Sequence, residues 1–398
     1  MIGLWLLSLL TAISNTLDIS TDIIAITIGR ISSIQVGVYN TLGYIVFLIA
    51  LFIGGRLGDN GLIKIQVFAI TLSLITYGVG LNAYLNTLGL APLLLMYFTY
   101  SIAQAFSMTS VTAFIHEFYA SYQWEEFLIK RLIATRAFEA LLLGFLSTGL
   151  AYILSNTYLY VICITIPAIL AFPITRDPPL RIERIMYRIE IGLSRIENSV
   201  TNSLFIYELI RGDHRLLVKP RWRNILVKPK HRSPLLVILG LVLFRYSNSL
   251  LLVQLPVYLN KSLGLLGTSI LGVYALSRGI LVVFYYLLRG TTSSITVSLV
   301  LRALAPAVFL YTYLSTNSIV VALVLGLILY LNSVIDALLY TTYTKVVGRA
   351  VSTRYLMIGE SVGLIATLLS GIVYSIIGYE NIVLATLIML TAAGLLLK

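Results

Sequence analysis

Charged residues supply only 11% of the 398-residue chain, histidine occurs three times and cysteine once. A water-soluble domain carries about a quarter charged residues, so this scarcity excludes an ordinary soluble globular protein. The lone Cys163 excludes a disulfide framework and a cysteine-based metal site. No Gly-x-x-x-x-Gly-Lys-Ser/Thr loop occurs, which removes the main sequence signal for ATP use. No basic segment precedes the first apolar run, so no cleavable leader is expected.

Apolar residues fill the space, at 59% of the chain with a mean hydropathy of +0.95. A helical span needs about 20 mostly apolar residues. Twelve such runs can be cut, at 2–28, 34–57, 61–84, 91–119, 128–154 and 157–175, then 234–259, 264–289, 292–314, 317–345, 350–377 and 380–397. Short turns such as "GDNG" at 58–61 and "GYEN" at 378–381 separate them. The net charge of +12 is concentrated: 13 of the 28 Lys and Arg lie between Arg176 and Arg232. That concentration between two apolar halves reads as a topology signal rather than a nucleic-acid patch. With both termini inside, Arg56, Lys64, Lys130, Arg131, Arg289, Lys345, Arg349 and Arg354 fall on the same side as the basic segment. Only Arg30 and Lys261 face the other way, so the termini and the middle loop are expected in the cytoplasm.

The middle loop repeats Arg-Ile-Glu at 181, 188 and 195, which puts Ile182, Ile185, Ile189, Leu193 and Ile196 on one face. An amphipathic helix on the membrane surface is the expectation; a coiled-coil site is the alternative, marginal at this length. A larger repeat is also visible. "SSIQVGVYNTLGYIVFLIALFIGG" (32–55) slides onto "GTSILGVYALSRGILVVFYYLLRG" (267–290) with a shift of 235, aligning Gly-Val-Tyr 37–39 with Gly-Val-Tyr 272–274. The fold class expected is an all-α integral membrane protein of twelve transmembrane helices in two homologous six-helix bundles, residues 1–176 and 234–398. A cytoplasmic basic linker at 177–233 joins them.

The segment "FIGGRLGDNGLIK" (52–64) resembles the loop between helices 2 and 3 of the major facilitator superfamily, whose pattern runs Gly-x-Leu-Ala/Gly-Asp-Arg-x-Gly-Arg-Lys/Arg. Gly55, Leu57, Gly58, Asp59 and Lys64 match it, whereas Asn60, Leu62 and Ile63 depart from it. "LGLLGTSILGVYALSRG" and residues 359–390 look like that superfamily's helix 7–8 junction and its helices 11 and 12. The resemblance implies alternating access around a central cavity. It also implies a cytoplasmic gate in which Asp59 meets the start of the eleventh span, near Ala350 to Arg354; a simple turn role is the plainer alternative. No Arg occurs between Ala91 and Tyr119, and "GFLSTG" (144–149) lacks the proline of an exporter signature, so no exporter motif is present.

Charges deep in spans point to function unless they pair. They are Asp18, Asp22, Arg136, Glu139, Arg245, Arg278, Arg302, Asp336 and Glu360. Arg136 and Glu139 are spaced to pair along one helix face, and Arg302 reads as a structural partner of Asp336 or Glu360. Ser8, Thr11, Asn15, Asp18 and Asp22 step by three or four, so they share one stripe. A polar stripe cannot face lipid. The resemblance turns it toward the cavity, opposite Arg245, Tyr246 and Asn248 on helix 7 and Tyr330, Asn332 and Asp336 on helix 10. Asp18 then has two readings: a proton-coupling or substrate-binding carboxylate, with Asp22 nearer the outer mouth, or a permanent ion pair with Arg245. His116, Glu117, Glu125 and Glu126 read as interfacial contacts and not as a metal site.

The function expected is a secondary transporter of a small organic solute, not an enzyme. It is expected to be proton-coupled, with export slightly favoured over uptake of a polar metabolite. It needs no cofactor beyond an ion gradient, binds no metal or nucleic acid, and sits as a monomer in the plasma membrane. From another class, an intramembrane lipid-modifying enzyme using Asp18 and Asp22 as a DxxxD pair is the alternative.

Overall fold

A bilayer leaves backbone groups no water to bond, so a spanning segment must satisfy them within a helix. The computed structural model describes residues 2–119, 124–175, 177, 234–287, 318–347 and 352–396, and among these residues there are helices and no strands. The first six helices are α1 (Ile2–Thr27), α2 (Ser33–Asp59), α3 (Ile63–Thr87), α4 (Leu90–Phe118), α5 (Trp124–Ser155) and α6 (Thr157–Ile174). After the basic segment come α7 (Pro234–Val253), α8 (Leu255–Lys261), α9 (Gly267–Leu287), α10 (Ser318–Val347) and α11 (Ser352–Leu396). Eight spans among the described residues are long and apolar enough to cross a membrane. The ninth expected span, with Arg302, and the amphipathic segment at 178–233 lie outside the described residues.

Two boundaries differ from the twelve expected runs. The seventh run is two helices, because Pro256 at the second position of α8 has no N–H and its ring clashes with the carbonyl four residues back. The last two runs form one continuous element broken only at Gly378, whose φ of 74° and ψ of 167° suit glycine alone. The chain reverses there. Residues 359–370 run beside α7 in the same direction, with Gly359 near Arg245 and Ser370 bonded to Gln254. Tyr379, Leu390 and Ala393 then return along α7, from Leu251 to Val237.

Helix ends are set by local chemistry. Ser32 and Gln35 form a reciprocal capping box at the start of α2. Asp177, reaching back from beyond α6, accepts the backbone N–H of Lys64 at 2.9 Å and caps α3. Gly61, with φ of 68°, makes the turn between α2 and α3.

The α1 helix lies in the interior, with Leu4, Leu7, Leu10 and Leu17 buried, whereas α2 turns Ile45, Ile49 and Phe52 outward. Burial from water cannot drive helices together inside lipid, so close approach through small residues does the work. Ser33, Gly37 and Thr41 on α2 oppose a matching row on α11 that includes Thr367 and Gly371. A Cβ on Gly371 would lie 2.6 Å from the Ser33 carbonyl oxygen and 2.9 Å from the Ile34 Cα. The equivalent glycine in the repeat, Gly272 on α9, faces Ser147 of α5. These two seams, α2 with α11 and α9 with α5, join the first six helices to the rest. Where α1 ends, Ile26, Val36 and Val257 form a small apolar cluster. Gly267 is packed there against Ile23 and Thr27, and Tyr258 stacks on Tyr379 at 4.2 Å. That end of the bundle is closely packed at these residues.

Candidate functional site

Beside the α2–α11 seam lies a cavity of about 340 Å³ whose wall is shared by α1, α2 and α4 on one side and α7 and α11 on the other. Asp18 projects into it from α1 and Glu360 from α11, one carboxylate from each half. Tyr44, Tyr100, Asn40 and Gln104 add hydroxyls and amides, and Phe47 and Leu252 add apolar wall.

Each carboxylate has a tyrosine. Tyr100 shares the wall with Asp18, and the Tyr44 hydroxyl donates to the Glu360 carboxylate across the α2–α11 seam. The predicted stripe on α1 divides by role. Ser8 and Thr11 are buried and return their hydroxyls to the carbonyls of Leu4 and Leu7. Asp22 is buried, held by the Tyr97 hydroxyl at 2.6 Å and the Asn40 amide at 2.9 Å. Only Asp18 of the two aspartates borders the cavity.

Asn15 works sideways. It accepts from Gln104 at 2.8 Å and donates to Glu139 at 2.5 Å. Glu139, wholly buried, pairs with Arg136 at 2.7 Å and with Arg278 at 3.0 Å. The first pair is the one its i,i+3 spacing predicts; the second crosses from α5 to α9. Arg245 pairs with Asp336 at 2.7 Å, so its observed partner is Asp336 and not Asp18. Asn332 donates to Asn248 at 2.6 Å, and Asn248 reaches the cavity wall. Arg245, Tyr246, Asn332 and Asp336 do not border the cavity.

The loop motif is only partly described. Gly58 packs against Ala113 and Gln66, while Gly55 has open space around it. Gly54, outside the motif, is the tighter position: a Cβ there would lie 2.6 Å from the Thr109 hydroxyl, and its carbonyl accepts from Gln66 at 2.6 Å. Leu57 is half-buried and packs on the main core. The Lys64 ammonium lies 5.9 Å from the Phe172 ring centroid. The side chains of Asp59, His116, Glu117, Glu125, Glu126 and Arg354 lie outside the described residues. No group of three or more metal-ligating side chains occurs among the described residues.

Sequence reasoning missed Tyr44, Tyr97, Tyr100 and Gln104. The chain has 26 tyrosines, too many to single out three. Tyr97, Tyr100 and Gln104 nevertheless step by three and four along α4, which is the spacing of one buried face.

The cavity, bordered by α1 and α7, lies where the resemblance to the major facilitator superfamily implies one. No protein-family model matches the sequence, and no curated protein does. Solved structures do. The peptide transporter POT in complex with sulfate is 13% identical, covering 99% of this chain and 92% of that one at a TM-score of 0.64. The inward-open xylose transporter XylE from E. coli is 11% identical, covering 99% and 94% at 0.66. A bacterial homologue of the human lysosomal transporter Spinster, inward-facing and unoccupied, is 14% identical, covering 99% and 95% at 0.62. The chain therefore has the fold of these transporters over nearly its whole length.

Proposed function

We propose that this protein is a secondary active transporter that moves a small organic solute by alternating access. The observation that carries the reading is the cavity itself: it holds two carboxylates, lies among helices of membrane-spanning length, and is walled by helices of both halves. A carboxylate at the centre of such a helix costs about 2.5–3.5 kcal/mol on insertion scales. A protein retains two of them facing one space when they serve a ligand or a proton. Asp18 and Glu360 are the coupling candidates, with H+ as the driving ion and export as the direction. Asp59 and the neighbouring motif residues serve as a gate at the cytoplasmic end. The closely packed end where α1 stops is then the outer end, with the termini in the cytoplasm of a monomer in the plasma membrane. The enzyme reading draws no support from the aspartate pair, because Asp22 is buried on Tyr97 and Asn40 and does not itself line the cavity.

The test is reconstitution into proteoliposomes with an internal pH dye and a panel of organic solutes added outside. A solute that moves protons through wild type, and not through Asp18→Asn, supports the coupling role. Undiminished proton movement in Asp18→Asn refutes it.

A further inference from the structure

The sign of the cavity narrows what it can hold, an inference that rests on reading the cavity as the solute site. Its wall contains two carboxylates and no Lys, Arg or His among the described residues. The nearby guanidiniums lie outside the wall: Arg136 and Arg278 share Glu139, and Arg245 pairs with Asp336. Among the described residues no ion pair reaches Asp18 or Glu360; Tyr100 lines the wall with Asp18, and Tyr44 donates to Glu360.

A phenol bond disperses a carboxylate's charge without cancelling it, so the space between these groups keeps a negative potential. An anionic solute would bring like charge into it. A neutral solute would leave the charge of both carboxylates uncompensated. The rest of the wall suits a cation with an apolar body. Phe47 and the two tyrosine rings offer π faces, and Met108, Leu252 and Val253 offer apolar and polarisable surface. The volume of about 340 Å³ sits at the small end of ligand sites, which run from about 300 to 1,000 Å³.

We propose that the cavity binds an organic amine cation, an ammonium or guanidinium group on a compact apolar body, seated between Asp18 and Glu360.

Three probes of one shape and different charge test this: phenethylammonium, phenylethanol and phenylpropionate. Binding is measured by equilibrium dialysis against purified full-length protein in detergent, with detergent alone as blank. The ammonium should bind at least tenfold more tightly than either counterpart. Asp18→Asn and Glu360→Gln should each weaken it at least tenfold while leaving phenylethanol unchanged. Equal or tighter binding of phenylpropionate or phenylethanol, or no measurable binding of the ammonium, overturns the proposal. The wild-type comparison stands even where a variant does not fold. Counterflow of labelled phenethylammonium in proteoliposomes separates the two readings. Selective binding without exchange counts against transport and leaves the cation site intact. Exchange of the anion without binding of the ammonium supports transport and refutes the cation site.

Discussion

Replacing Glu139 by glutamine removes the charge that holds two guanidiniums while keeping the side chain's shape. Glu139 is wholly buried, and the side chains of Arg136 and Arg278 are 25% and 12% exposed. Arg136 can turn toward water; Arg278, on the far side of the α5–α9 seam, has less room to do so. Breaking a buried ion pair by removing one partner costs about 3–5 kcal/mol, whereas a neutral hydrogen bond between transmembrane helices averages about 0.6 kcal/mol. The expected loss for Glu139→Gln is therefore about 3 kcal/mol, more than a hundredfold in the folding equilibrium. Arg278→Met leaves Glu139 paired with Arg136 and should cost about 1.5–3 kcal/mol, the range of an interaction with a charged group. The double variant should recover part of the sum, with a coupling of about 0.5–3 kcal/mol. Reversible unfolding in mixed micelles with increasing sodium dodecyl sulfate, followed by helicity, measures all three. A loss below about 1 kcal/mol for Glu139→Gln, together with strict additivity, would refute a buried charge cluster tying the halves together.

Other parts of the molecule give sharper contrasts. Gly371→Val forces a side chain into the Ser33 carbonyl and should destabilise by about 1–3 kcal/mol, while Gly55→Ala, with open space around it, should be close to neutral in the same unfolding assay. Tyr97→Phe strips one of the donors from Asp22 and should cost about 1.5–3 kcal/mol. Thr21→Val, which loses the neutral interhelical bond to Tyr77 and the hydroxyl's return to the Leu17 carbonyl of its own helix, should cost about 0.6 kcal/mol for the interhelical bond. Asp177→Ala removes the cap of α3 and should cost about 0.5–2 kcal/mol, visible as faster amide exchange at Lys64 and its neighbours.

Much of the fold was legible because a bilayer imposes a length and a polarity on every span. The eight apolar spans and the polar face of α1 follow from runs and spacings within a single helix. The Arg136–Glu139 pair follows for the same reason, its partners being one turn apart. What the sequence hid are contacts between distant helices. Glu139 and Arg278 lie 139 residues apart, and the Tyr44–Glu360 bond spans 316; no periodicity relates such residues. Arg245 illustrates the limit: a polar position on helix 7 pointed to some acid, and geometry alone chose Asp336 over Asp18. The break in the seventh run was readable in principle from Pro256, but apolar continuity from Leu255 to Leu259 masked it.

The seam between α2 and α11 has a mechanical consequence. Where two helices meet through Ser33, Gly37, Thr367 and Gly371, the touching surfaces are backbone and short side chains rather than interlocked knobs. Such surfaces can slide or part with few rotamers reordered, the Tyr44 side chain, bonded to Glu360 and seated against Gly363, being the one long contact along the seam named here that must let go. The α5–α9 seam is of the opposite kind, pinned by Glu139 and Arg278. A body with one smooth joint and one pinned joint has a hinge line chosen for it: motion about the pin opens the smooth side first.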